Sequence, residues 1–209
     1  MNHIVLLGDS IFDNASYVPG KPAVIEQLRH RLPGNCEATL LAVDGDVTSD
    51  VIGQTDRLPK DTTHLVLSCG GNDALQHLEI LYDPACSVAE VLERFTSIRA
   101  DFQLDYHKML NHVLNFCKCV TVCTVYDSIP GLEPIALTAL SMFNEIILRE
   151  AFMAKVPVID LRLVCNESTD YSEISSIEPS AAGGEKIAQT IVKLIERHDF
   201  TKDQSVIYF

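Results

Sequence analysis

No apolar run in this chain approaches the roughly 20 residues that a membrane-spanning helix requires. The opening Met1-Asn2-His3 offers no basic lead-in, and the apolar stretch 4–7 is too short for the core of a secretory signal. Basic residues are scarce, with 16 Lys and Arg against 29 Asp and Glu and a net charge of −13. A surface that acidic repels phosphate backbones and anionic headgroups, so neither nucleic acid nor a membrane is expected as a partner. Cysteine is present but unpatterned. The seven cysteines form no Cys-x-x-Cys pair and no Cys/His spacing suited to zinc. Their odd count and the lack of an export signal point to a reducing, cytoplasmic setting without disulfides.

What the chain does have is a core. Hydrophobic residues make up 47% of 209, enough for one α/β domain spanning 1–209. Short β-branched runs alternate with longer amphipathic ones, the pattern of a parallel sheet wrapped by helices. Strands are expected at 4–7, 38–42, 64–68, 120–125 and 156–159, almost entirely apolar because both faces are covered. Helices are expected at 22–31, 49–57, 87–116, 133–154 and 184–197, with a break inside the fourth. Five parallel strands with right-handed crossovers make a three-layer α/β/α sandwich of flavodoxin-like order. In such a fold, ligands bind beyond the carboxyl ends of the strands. The tail 199–209 turns from polar to apolar and is compatible with either fraying or docking; nothing in it sets an oligomeric state.

The strand ends carry the chemistry. After the first comes Gly8-Asp9-Ser10, after the second Asp44-Gly45-Asp46, and after the third Gly70-Gly71-Asn72-Asp73. A serine directly after a strand and a glycine can be raised as a nucleophile beside backbone N–H groups. Gly45 lets its N–H approach a ligand closely, and Asn72 offers a side-chain amide. One hydroxyl and three convergent donors describe an oxyanion hole. The many nearby carboxylates (Asp9, Asp13, Asp44, Asp46, Asp73, Asp127 and Asp160) read as helix caps and first-turn charges rather than metal ligands. Neither metal nor cofactor is expected.

These three blocks in order resemble those of the SGNH hydrolases, also called GDSL-type esterases and lipases. By that resemblance Ser10 stands at the nucleophile, and the Ser10 N–H, Gly45 N–H and Asn72 side chain hold the oxyanion. The fourth block departs from it. The family pattern there is Asp-x-x-His before Pro-Ser, and Pro179-Ser180 puts Glu178 at the histidine position and Ser175 at the aspartate position. A model-peptide glutamate titrates near roughly 4.3, far below an imidazole, so Glu178 serves as base only if desolvation raises it. Of the histidines, His3 and His64 begin strands at the wrong end. His30, His107, His112 and His198 fall on helices away from the strand-end rim. His77, five residues after Asn72, is the alternative base, although an exposed helical position is its ordinary reading. Phe12, Tyr17, Tyr82, Tyr126 and Phe143 are candidates for a pocket wall or for core.

The expected function is therefore hydrolysis of a small acyl or acetyl ester by Ser10, with Gly45, Asn72 and Glu178 completing the site. Two other readings stay open. One is a catalytically silent relative that binds an acylated or carbohydrate ligand. The other is transfer of the acyl group to an alcohol instead of water.

Overall fold

The first strand sets the plan of the molecule. In β1 (Asn2–Gly8) Ile4 and Leu6 point to one face and Val5 and Leu7 to the other, all of them buried. A strand apolar on both faces must be covered twice. The computed structural model, which describes residues 2–209, covers it with helices on each side.

In chain order the elements are β1, α1 (Val24–Arg31), β2 (Cys36–Leu40), α2 (Val51–Gln54), β3 (His64–Ser68), α3 (Gly71–Leu75) and α4 (Val88–Leu114). There follow β4 (Val120–Cys123), α5 (Pro134–Ala154), β5 (Val158–Ile159), α6 (Leu161–Val164), α7 (Ala181–Arg197) and β6 (Ile207–Tyr208). The strands form one parallel sheet in the order β2-β1-β3-β4-β5-β6. Ile4 and Leu6 pack with Val24 and Leu28 of α1 and with Ile187, Ile191 and Leu194 of α7. Val5 and Leu7 pack with Phe102, Tyr106 and Met109 of α4 and with Phe143 and Ile147 of α5. Each such large apolar side chain contributes about 1.5–3 kcal/mol on burial. The result is the α/β sandwich that the alternating pattern called for.

The sheet has six strands where the sequence suggested five. The apolar end of the tail supplies the sixth: Val158 and Asp160 donate from their N–H groups to the carbonyls of Val206 and Tyr208, both at 2.9 Å. Strand β4 stops at Cys123 instead of 125, because the Asn144 side chain takes over there. Its Oδ1 accepts from Val125 N at 2.8 Å and its Nδ2 donates to Val125 O at 2.9 Å. Helix α5 runs without the break expected within 133–154. The final helix starts at Ala181, three residues earlier than expected, because Ser180 caps it: its Oγ accepts from Ala182 N at 3.1 Å and Gly183 N at 3.2 Å. The helix expected at 49–57 is a short α2 followed by a 3₁₀ turn, Thr55–Arg57.

The parallel strands are laid down to opposite sides of β1, β2 on one side and β3 on the other, so the connections leaving β1 and β3 part and leave a crevice. Ser10 sits on the first of these and Asn72 at the start of α3 on the second. The approach there is close: a Cβ at Gly8 (φ 126°) would lie 1.7 Å from the Ser68 carbonyl oxygen, so only glycine fits where β1 ends.

Candidate active site

Ser10 follows β1 at the start of a turn in which Phe12 and Asp13 both donate to the Asp9 carbonyl at 3.1 Å. The hydroxyl is thereby presented at the carboxyl edge of the sheet on a buried backbone. The second loop is held to the first by Gln54, which is almost fully buried. Its Oε1 accepts from Gly8 N at 2.8 Å, and its Nε2 donates to Gly8 O at 2.7 Å and to Asp46 Oδ2 at 2.8 Å. The third loop is held to the second twice. Asn72 Nδ2 donates to Asp46 O at 2.9 Å, and Asp73 Oδ2 accepts from both the N–H and the hydroxyl of Thr48 at 3.0 Å. Asp73, a first-turn charge of α3 as the sequence suggested, is thus also a tie between loops.

Gly45 occupies the turn between these contacts, with φ 88° and Asp46 N donating back to Val43 O at 3.1 Å. A positive φ of this kind turns a backbone N–H outward and suits glycine. Among the described residues, the N–H groups of Ser10 and Gly45 have no hydrogen-bond partner within the protein. Asn72 has committed one amide hydrogen to Asp46 and keeps the other.

Glu178 reaches the same place from the segment before α7, and its backbone is clamped from several directions. Glu178 N donates to Ser175 O at 3.0 Å and its carbonyl accepts from Ser172 N at 2.8 Å. Tyr126 OH donates to the preceding Ile177 carbonyl at 2.5 Å, and Asn14 Nδ2 to the following Pro179 carbonyl at 3.1 Å. The Glu178 residue is only 4% exposed, and its Oε2 has no hydrogen-bond partner among the described residues. Burial pushes the carboxyl up to about 7; the nearby Ser10 hydroxyl pulls it down, and the charge of Asp44 adds to the rise. Asp9 lies deeper. Burial pushes it up to about 8 against the hydrogen bond from Ile11 N, with the charges of Glu178 and Asp73 adding to the rise.

Ser10, Asn72 and Glu178 line a single cleft of about 830 Å³, its open mouth included. Gly45 is not on the cleft wall but on the adjoining turn. His77 does line the cleft; it sits, exposed, where α3 gives way to a 3₁₀ turn, and the carboxyl beside Ser10 is that of Glu178. The other histidines are elsewhere. His3 is at the opposite, amino end of the sheet, where its Nδ1 lies 3.0 Å from Asp61 and Glu37 is close by. Of the five aromatics considered from sequence, Tyr126 and Phe143 are cleft wall, Phe12 is core, and Tyr82 is 66% exposed. Tyr17 lies on the rim, where its hydroxyl donates to Asp44 Oδ2 at 2.8 Å. Beyond Ser10, Asn72 and Glu178 the wall is almost wholly apolar, built from Leu75, Leu78 and Leu81, from Phe95 and Ile98 of α4, and from Leu140 and Phe143 of α5. Gln54 and Thr48, which hold the loops together, carry no sequence signal: a buried amide at the end of the short α2 looks like any surface glutamine.

The parallel α/β sandwich thus gathers a serine, an asparagine amide and a buried glutamate at its carboxyl edge. The chain belongs to the GDSL-like lipase/acylhydrolase family, whose model matches residues 6–186. No curated protein matches it. Among solved structures it is similar to a lipase from a goat-rumen metagenome, at 20% identity and a TM-score of 0.72 over 92% of this chain and 97% of that one. It is also similar to a lipase/acylhydrolase from Enterococcus faecalis (18% identity, TM-score 0.68, 94% and 96% covered). An acetyl xylan esterase from Geobacillus stearothermophilus matches at 12% identity, with a TM-score of 0.66 and 93% and 94% covered. At such identities these likenesses speak to the fold. The family supplies the general class, ester hydrolysis, and the residues themselves carry the rest.

Proposed function

We propose that this chain is a carboxylic ester hydrolase in which Ser10 is the nucleophile and Glu178 the general base. Ser10 Oγ attacks the ester carbonyl carbon while its proton passes to the Glu178 carboxylate. The Ser10 N–H, the Gly45 N–H and the free amide hydrogen of Asn72 stabilise the oxyanion. Collapse of the intermediate expels the alcohol, which takes the proton back from Glu178. Water, deprotonated in its turn by Glu178, then releases the acid from the acyl-Ser10 ester. The observation that carries this reading is the burial of Glu178 beside Ser10, which lifts its carboxyl to about 7, into the range where a general base works near neutral pH. The apolar cleft that opens from Ser10 supports an acyl group longer than acetyl.

Hydrolysis of p-nitrophenyl butyrate between pH 5 and 9 tests the assignment. Glu178 acts as its carboxylate, so activity rises as pH passes about 7 and levels above it. Ser10→Ala falls to background, Glu178→Gln loses about 10³-fold, and Asn72→Ala loses about 10²-fold. Replacement of both triad partners, at Ser175 and Glu178, also favours a second reading, a site that binds an acylated ligand without turnover. Binding with no Ser10-dependent hydrolysis across an ester panel would decide for it.

A further inference from the structure

Glu178 is carried by neither a strand nor a helix. It stands on the segment before α7, where three residues in a row each give a backbone carbonyl to a donor. Glu178 O accepts from Ser172 N, a little earlier in the same segment. Pro179 O accepts from Asn14, whose Oδ1 accepts from Val24 N at 2.9 Å and so joins the start of α7 to α1. Ile177 O accepts from Tyr126 OH, which reaches it from the carboxyl end of the sheet. No aspartate stands behind Glu178 to turn its carboxyl. Ser175, three residues earlier, meets it through backbone, its carbonyl accepting from Glu178 N, and Glu178 Oε2 has no partner among the described residues. The aim of the carboxyl is therefore set by its backbone.

Tyr126 is well placed to hold that backbone. It follows β4, and Val125 before it is locked on both its N–H and its carbonyl by Asn144 of α5. Its ring is 1% exposed, packs edge-on against Tyr171 at 5.1 Å and lines the same cleft as Ser10, Ile177 and Glu178. Burial, with the charges of Glu178 and Asp9 adding to it, pushes the phenol well above its ordinary value, so it is a neutral donor across the working pH range. A phenylalanine would pack there as well; the hydroxyl serves the Ile177 carbonyl.

We propose that Tyr126 is a positioning residue of this site, its hydroxyl holding the Glu178 carboxyl at Ser10 through the Ile177 carbonyl. This rests on the hydrolase reading for its purpose and adds to it the residue that aims the base. The path is short and rigid: α5 fixes Val125, Val125 fixes the Tyr126 ring, and the phenol fixes the residue next to Glu178. A base that has to take the Ser10 proton loses its reach with a displacement of about 1 Å.

The pH profile of p-nitrophenyl butyrate hydrolysis, compared in wild type, Tyr126→Phe and Tyr171→Phe, tests this. Tyr126→Phe keeps the ring and changes no charge. The ionisable groups around Glu178 stay as they are: Asp9 after β1, Tyr17 between β1 and α1, Asp44 after β2, and His77 on the cleft. Ile177 is exposed, so its freed carbonyl turns to water and the segment relaxes outward while the protein stays folded. In Tyr126→Phe, kcat falls about ten- to hundredfold with KM close to wild type. The midpoint of kcat/KM moves from about 7 down by about one pH unit, because a carboxyl that gains water loses part of its upward push. Tyr171→Phe removes a buried hydroxyl bonded to Cys165 O at 2.7 Å and leaves the midpoint in place. A wild-type midpoint in Tyr126→Phe, or an equal displacement in Tyr171→Phe, overturns the positioning role and leaves the hydrolase reading standing. If the wild type cleaves no ester, the hydrolase reading falls, and the clamp is read without turnover. The ¹³C-labelled Glu178 carboxyl, assigned by its absence in Glu178→Gln, then titrates lower in Tyr126→Phe than in the wild type; equal titration overturns the proposal.

Discussion

Two residues, Ser175 and Glu178, depart from the family's Asp-x-x-His block, and the second of them lies in the cleft with Ser10. Glu178 is drawn out of water far enough to titrate near neutrality, yet it remains within reach of Ser10. Asp9, next in the chain to Ser10, is pushed higher still, to about 8, and lies against both Glu178 and Asp73. Its sign in stability follows from linkage. The folded state holds the Asp9 proton between the unfolded value near 3.8 and the folded value near 8. Across that window the native state binds more protons than the unfolded one, so Asp9 makes stability fall as pH rises. Asp9→Asn keeps the shape and the hydrogen bond from Ile11 N but carries no charge to bury. It is expected to melt above the wild type at pH 8.5, and the gap should narrow at pH 5, by at most about 1.4 kcal/mol for each pH unit. The two converge only below the unfolded value near 3.8. Melting curves at both pH values check this; a constant difference would mean that the ionisation of Asp9 has no part in it.

At the scale of elements, three loops from three strands converge because buried side chains tie them together. Gln54 is the central tie, satisfying both the N–H and the C=O of Gly8 and reaching Asp46 as well. Gln54→Leu leaves the Gly8 N–H unpaired, while Gly8 O keeps the Val43 N–H at 3.1 Å, and is expected to cost about 1–3 kcal/mol. It also frees the loop that carries Gly45, so kcat for an ester should drop while KM changes little. Urea denaturation and steady-state kinetics measure the two effects separately; intact kcat in a destabilised protein would show that the tie serves folding alone. Such ties mark the limit of what could be read in advance. The strands were legible because runs such as Val5-Leu6-Leu7 are apolar on both faces, and α7 because its helical pattern over 184–197 is clear, although the Ser180 cap that starts it at Ala181 was not read. Ser10, Asn72 and Glu178 were legible because each follows a strand or precedes a helix in a known order. The short α3 and the two-residue β6 were not, since neither is long enough to show a period. Gln54 and Thr48 were hidden for another reason: their importance lies in partners 46 and 25 residues away.

Over the whole molecule, the sheet and its two helical layers leave an apolar cleft at the carboxyl edge. Its wall comes largely from helices α4 and α5, whose apolar stripes serve the core along most of their length. Where they pass the carboxyl end of the sheet, the same stripes line the cleft, as Ile98, Phe95, Leu140 and Phe143 do. Core and acyl pocket are thus one continuous apolar body, and substrate preference should follow from burial. Each methylene that enters the cleft gains up to about 0.8 kcal/mol, or nearly fourfold. Along a series of p-nitrophenyl esters from acetate to octanoate, kcat/KM should climb by about two- to fourfold per carbon and level off once the chain outgrows the cleft. Ala139, a small side chain on the cleft wall, sets a place to test the cause. Ala139→Phe fills the space without touching Ser10 or Glu178. It should leave the acetate rate close to wild type and cut the octanoate rate at least tenfold. If both esters lose equally, the substitution has disturbed the catalytic groups; if neither changes, the acyl chain lies elsewhere.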